Sequence, residues 1–278
     1  MIATLSAAIG ISVVLLRERP YTYDLSSPER AIASARLMLE RGEAERLADL
    51  IEASNENERR LYRQLGVVLG HLQDLTVTIR EEMPEEIERY RRELEEAAAR
   101  GEPVTFFDKI AARRRGERRR LPDQGGAEMF RGSPVRERIN DLLRGVLADP
   151  YAWIEATESR LSFAEIDEDM VALLWDGQMI PPLGWVMRRQ RDGRWQLVLP
   201  LDAPGVRSVA PQTEDEFLIW GSLLASLDNV LLELDQEIRD GRHTSFESVA
   251  DSTFEKVAIP AVMIMYAYGQ AVEAREAP

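Results

Sequence analysis

Apolar residues dominate Ile2 to Leu16, where only Thr4, Ser6, Gly10 and Ser12 interrupt the run and Arg17-Glu18-Arg19-Pro20 closes it. A bilayer span takes about 20 residues, and the apolar part of a secretory signal about 7–15. No basic residue opens the run and no small-x-small cleavage site follows it before Tyr21. The pattern predicts membrane association through one uncleaved N-terminal anchor, residues 2–16, within a signal-like segment spanning 1–20. A buried element of a soluble fold and a cleaved signal are the alternatives. Arg17 and Arg19 after the run keep the body cytoplasmic by charge asymmetry, and basic residues upstream would reverse that, so the side of the membrane stays open.

Helical periodicity fills residues 24–100. Ser26-Ser27-Pro28-Glu29 combines a capping serine, an early proline and an acidic first turn, which predicts a helix start, and Gly42 predicts its end. A second short helix, Glu43 to Ala53, carries Leu47, Leu50 and Ile51 on one face and completes a helical hairpin. Leu61, Leu65, Val68, Leu72, Leu75 and Ile79 alternate steps of four and three, the mark of a helix-pairing seam. Pro84 interrupts it, and Ile87, Tyr90, Leu94 and Ala97 resume the spacing. The seam is too short for an obligatory coiled coil, so intramolecular packing is expected, with self-association as the alternative.

Residues 101–134 change character. They hold Arg113, Arg114, Arg115, Arg118, Arg119 and Arg120, then a stretch rich in glycine and proline, and read as a flexible insertion. The six arginines are the one candidate binding set for an anionic surface, against a simple solvated loop; no aromatic residue interleaves them to stack bases.

From 135 to 278 a helix, Arg136 to Leu147, precedes a change of period from helical to alternating. Arg160 to Ile166 and Met170 to Trp175 form a hairpin about Asp167-Glu168-Asp169. In Trp185 to Leu199, a three-residue loop at Arg191-Asp192-Gly193 opposes Trp185 to Leu199, Met187 to Leu197 and Arg189 to Trp195. A two-residue loop would scatter the large side chains over both faces. Thr213-Glu-Asp-Glu216 then reads as a capping box opening a helix with Phe217, Trp220, Leu224, Leu227, Leu231, Leu234 and Ile238 inward, up to Gly241. The last segment, Phe246 to Val272, is apolar all round from Val257 onward and reads as a central core helix, with a second membrane span as the alternative. The fold class is α+β and mostly helical: a small antiparallel sheet of about four strands packed on several helices, forming one globular body with 24–100.

Composition narrows the function classes. A formal net charge of -14 argues against nucleic acid as a partner, because that binding runs on clustered cations. With no cysteine, thiolate catalysis and thiolate metal sites are excluded. His71 and His243 have no ligand-spaced partner. Glu165, Asp167, Glu168 and Asp169 lack the order of a calcium loop, and Glu81 to Glu88 read as one charged helix face. Glycine-rich nucleotide motifs and the Gly-x-Ser-x-Gly elbow are absent. No catalytic, cofactor or metal residue is assigned.

Ser27-Pro28-Glu29-Arg30-Ala31, Glu40-Arg41-Gly42-Glu43-Ala44-Glu45 and Asp192-Gly193-Arg194-Trp195-Gln196-Leu197-Val198-Leu199 resemble stretches of small bacterial nuclear-transport-factor-two-like (cystatin-like) domains. The resemblance implies helices packed into the concave face of a curved antiparallel sheet. Some members of that family bind small ligands or catalyse in the cone, whereas many are of unassigned function. This chain departs from the pattern in the stretch from Ala53 to Arg160 and in its helical tail. Two functions follow as expectations: a membrane-tethered, non-catalytic interaction or scaffold protein with an unknown protein partner or self-association, or a small-ligand binder or enzyme using the sheet's concavity.

Overall fold

The computed structural model describes residues 21–102, 144–148, 151, 160–180, 184–203, 206–208 and 210–276. The apolar run 2–16 and the arginine run 113–120 lie outside them.

Helix α1, Pro28–Glu40, starts where its first turn is capped: Ser27 Oγ accepts the Arg30 amide and Pro28 occupies the first turn. Ala31, Ala35 and Met38 line its buried face. The following segment is a 3-10 helix, Ala44–Leu50, and not the α-helix to Ala53 that its apolar spacing suggested. Two constraints shorten it. Ile51 is drawn into a bridge with Leu197, with the Glu52 amide donating to the Leu197 carbonyl at 2.9 Å. The segment is also pressed onto α2, Glu56–Glu82, at Gly66, where a Cβ would lie 2.5 Å from the Glu45 carbonyl oxygen.

Met83 ends α2 and opens α3, Pro84–Ala99, so the proline divides the periodic segment into two helices in series. The seam of α2 pairs within the chain. Its partner is α4, Glu214–Arg239, which begins with the Thr213/Glu216 capping box and ends before Gly241 at φ 72°. The two run parallel, and polar contacts recur at heptad intervals: Gln64 donates to the Gly221 carbonyl at 2.8 Å, His71 Nδ1 meets Asp228 at 2.6 Å, and Thr78 bonds Asp235. Between them Val68, Leu75 and Ile79 pack with Val230, Leu231, Leu234 and Ile238.

The sheet has five strands: β1 (Leu161–Asp167), β2 (Met170–Trp175), β3 (Gln178–Met179), β4 (Trp185–Arg189) and β5 (Trp195–Val198). All pairings are antiparallel, in the order β1-β2-β4-β5, with β3 a two-residue extension on β2 after the Asp176-Gly177 turn. Met187 opposes Leu197 and Arg189 opposes Trp195, the register expected of the three-residue loop, and Gly193 holds φ 83° within it. The outer edge of β5 is covered: the Trp195 amide donates to the Leu25 carbonyl, and the Ile51 bridge sits further along. Strand addition at that edge is thereby closed.

Helix α5, Phe246–Glu276, returns antiparallel along α4. Its root is buried through Phe246, Val249, Ala250 and Thr253, and Phe246 meets the Tyr90 ring of α3 edge-on at 5.8 Å. Lys256 bridges Glu233 and Glu237, Tyr268 packs edge-on against Trp220, and Arg275 reaches Glu216. The expectation of a central core helix is corrected here. Among the described residues α5 lies on the periphery, with α4 along one side of it and Ile259, Val262, Met263 and Tyr266 exposed on the other.

Candidate functional site

The sheet's helix-facing side is filled. Val171, Leu173, Trp175, Met187 and Trp195 point from three strands onto Ala31, Ala35 and Met38 of α1 in one buried cluster. A concavity for a ligand is thus occupied by the protein's own side chains.

At the rim of this packing lies a cleft of about 920 Å³. Its walls come from the entering segment Tyr21–Leu25, Met38 of α1, the 3-10 helix and the residues just after it, the first half of α2, and the β4–β5 hairpin. Its basic lining is Arg46, Arg59, Arg63, Arg191 and Arg194. Arg46 stacks 4.7 Å from the centre of the Tyr23 ring, donates to the Tyr21 carbonyl at 2.9 Å and pairs with Glu43 and Asp49. Arg59 and Arg63 share Glu56, and Arg194 folds back on Asp192 at 2.7 Å. The Arg194 amide and guanidinium together hold the Asp192 carboxyl below its usual range. Tyr23 donates to Glu43 at 2.8 Å, and burial followed by that bond pushes its phenol up. The same bond leads the causes that lower the Glu43 carboxyl. The guanidinium groups gathered along this lining make the cleft a candidate for an anionic ligand.

The second surface is the outer side of α5. From Val257 to Val272 the helix carries no charged residue. Ile259, Met263 and Tyr266 are 73, 67 and 70% exposed, and Val262 joins them on the same stripe. A soluble monomer scatters its exposed apolar residues, whereas this stripe is continuous. α4 and α5 are both long and apolar enough to cross a membrane, and they lie towards the C-terminus. α4 also carries Asp228 and Asp235 bonded to α2, whose exposed positions include Arg59, Arg63 and Asp74.

His71, expected to be structural, has a partner that sequence reasoning missed, Asp228; the signal was its place between Gln64 and Thr78 on one helix face. His243 contacts Glu237 at 3.2 Å beside Lys256. Burial raises Glu237, but hydrogen bonds from Lys256 and His243 outweigh it and leave the carboxyl below its usual range. Asp167 caps its own turn through the Asp169 amide, and Asp169 pairs with Arg189. Among the described residues no three His, Asp or Glu side chains converge as a metal site. The candidate arginines 113–115 and 118–120 fall outside the described residues. The chain matches no family model, no curated protein and no solved structure.

Proposed function

We propose that this is a membrane-tethered, non-catalytic interaction protein, anchored through residues 2–16, whose α5 stripe binds a second copy of the chain. The observation that carries the reading is the uncharged, exposed face of α5 at Ile259, Val262, Met263 and Tyr266. A chain of net charge -14 repels its own copies, so the uncharged stripe is where two copies approach at least cost. Anchoring in one bilayer raises their effective concentration and makes a modest interface sufficient. Two-fold packing sets each stripe against its counterpart, as self-complementary faces require. The filled sheet face supports the same reading over a ligand in the concavity, also on the cystatin-like view of the sheet.

Light-scattering molar mass of the full chain in a mild non-ionic detergent tests this. Two chains per particle are expected for the wild type and one for Met263→Glu/Tyr266→Glu, with ellipticity unchanged because both positions are solvent-facing. A wild type of one chain per particle, or a variant that stays paired, contradicts the proposal.

A further inference from the structure

We infer that the arginine-lined cleft beside Tyr21 is a docking surface for anionic phospholipid headgroups, holding the body against the membrane in which it is anchored. The inference rests on the reading of residues 2–16 as that anchor. Covalent geometry sets the distance. At about 3.5 Å per extended residue, the steps from Leu16 to Tyr21 span no more than about 18 Å, so the Tyr21 edge of the cleft lies within that reach of the end of the anchor.

Charge decides which face can come that close. A chain of net charge -14 is repelled by anionic lipid at separations near the Debye length of about 8 Å. Among the described residues the cleft gathers arginines on one face, Arg46, Arg59, Arg63, Arg191 and Arg194, beside an acidic lining of Glu45, Asp49 and Asp192. Glu43 and Glu56 are the other carboxylates that hold these arginines. Arg59, Arg63 and Arg194 are more than half exposed in their pairs. Exposed pairs of this kind add little to stability, so a lipid phosphate can exchange for the carboxylate. Guanidinium groups bind phosphate oxygens two at a time, which a lysine surface could not match. Tyr21, 43% exposed with Arg41 stacked 4.7 Å from its ring centre, adds the aromatic rim favoured at headgroup depth.

The absence of cysteine makes the test clean. A fluorophore on Thr22→Cys of the full chain is read against a spin-labelled headgroup quencher, in vesicles of phosphatidylcholine with or without phosphatidylserine. Quenching should be several-fold stronger with phosphatidylserine and should weaken with salt. Adding Arg59→Gln, Arg63→Gln, Arg191→Gln and Arg194→Gln should abolish the difference while flotation with both vesicle types persists. Flotation with quenching indifferent to phosphatidylserine, or unchanged in the arginine variant, would overturn the cleft proposal alone. Failure to float with phosphatidylcholine vesicles would instead overturn the anchor beneath it. Loss of the signal to millimolar inorganic phosphate at constant ionic strength would overturn it in favour of a soluble-anion site.

Discussion

Replacing Arg275 with methionine should destabilise the folded body by about 3–5 kcal/mol, the cost of leaving one member of a buried ion pair uncompensated. Its partner Glu216 is fully buried, and the Arg275 side chain is only 16% exposed. The guanidinium donates to Glu216 Oε2 at 2.8 Å and to the Ser208 carbonyl at 3.0 Å, tying the end of α5 to the loop that precedes α4. The same carboxylate oxygen accepts the Gln212 amide at 2.6 Å, so the pair also locks the capping box. Urea unfolding followed by ellipticity measures the loss. Arg275→Met/Glu216→Gln, which removes the charge and keeps an acceptor for the cap, should recover most of it. If the single variant unfolds at the wild-type midpoint, the pair does not fasten α5.

At the other end of the helix, Phe246→Ala should cost about 3–5 kcal/mol, the range for truncating a buried phenylalanine. Phe246 is 2% exposed and joins α5 to Tyr90 of α3 within the cluster that contains Leu75, Leu234 and Val249. The midpoint of thermal or urea unfolding reads this directly, and Phe246→Leu, which refills most of the volume, should lose much less. A loss under about 1 kcal/mol, the range of a volume-conserving swap, would mean that the root of α5 is not part of the core. Together the two side chains pin α5 at both ends and leave its middle facing out. The exposed stripe is therefore held in place by the fold and is not a frayed tail.

How much of this the sequence disclosed follows from how local each signal is. The β4–β5 hairpin was legible because only one register puts Trp185, Met187, Trp195 and Leu197 on one face, and Gly193 supplies the positive φ. The break at Pro84 and the Thr213/Glu216 cap were legible for the same reason: each is decided within one turn of helix. The seam on α2 was visible, but its partner was not, since α4 lies far along the chain and is specified by Asp228 and Asp235 meeting His71 and Thr78. The 3-10 helix was missed because its shape answers to Gly66 and Leu197, neither of which is near it in sequence. α5 read as a core helix because residues without charge belong in a core. Among the described residues one helix, α4, runs along it, and its outer face is exposed. The cleft had no sequence signal, since its arginines come from segments that meet only after folding.

The central claim is that the α5 stripes of two anchored copies face each other. Oxidative cross-linking of single-cysteine chains in native-like vesicles tests it most directly, because the protein contributes no thiol of its own. Met263→Cys, on the stripe, should form a covalent dimer rapidly, whereas Glu247→Cys, exposed at the root of α5 and outside the uncharged stretch, should not. Equal cross-linking at both positions, or none at 263 with its thiol instead shielded by lipid, would contradict the account.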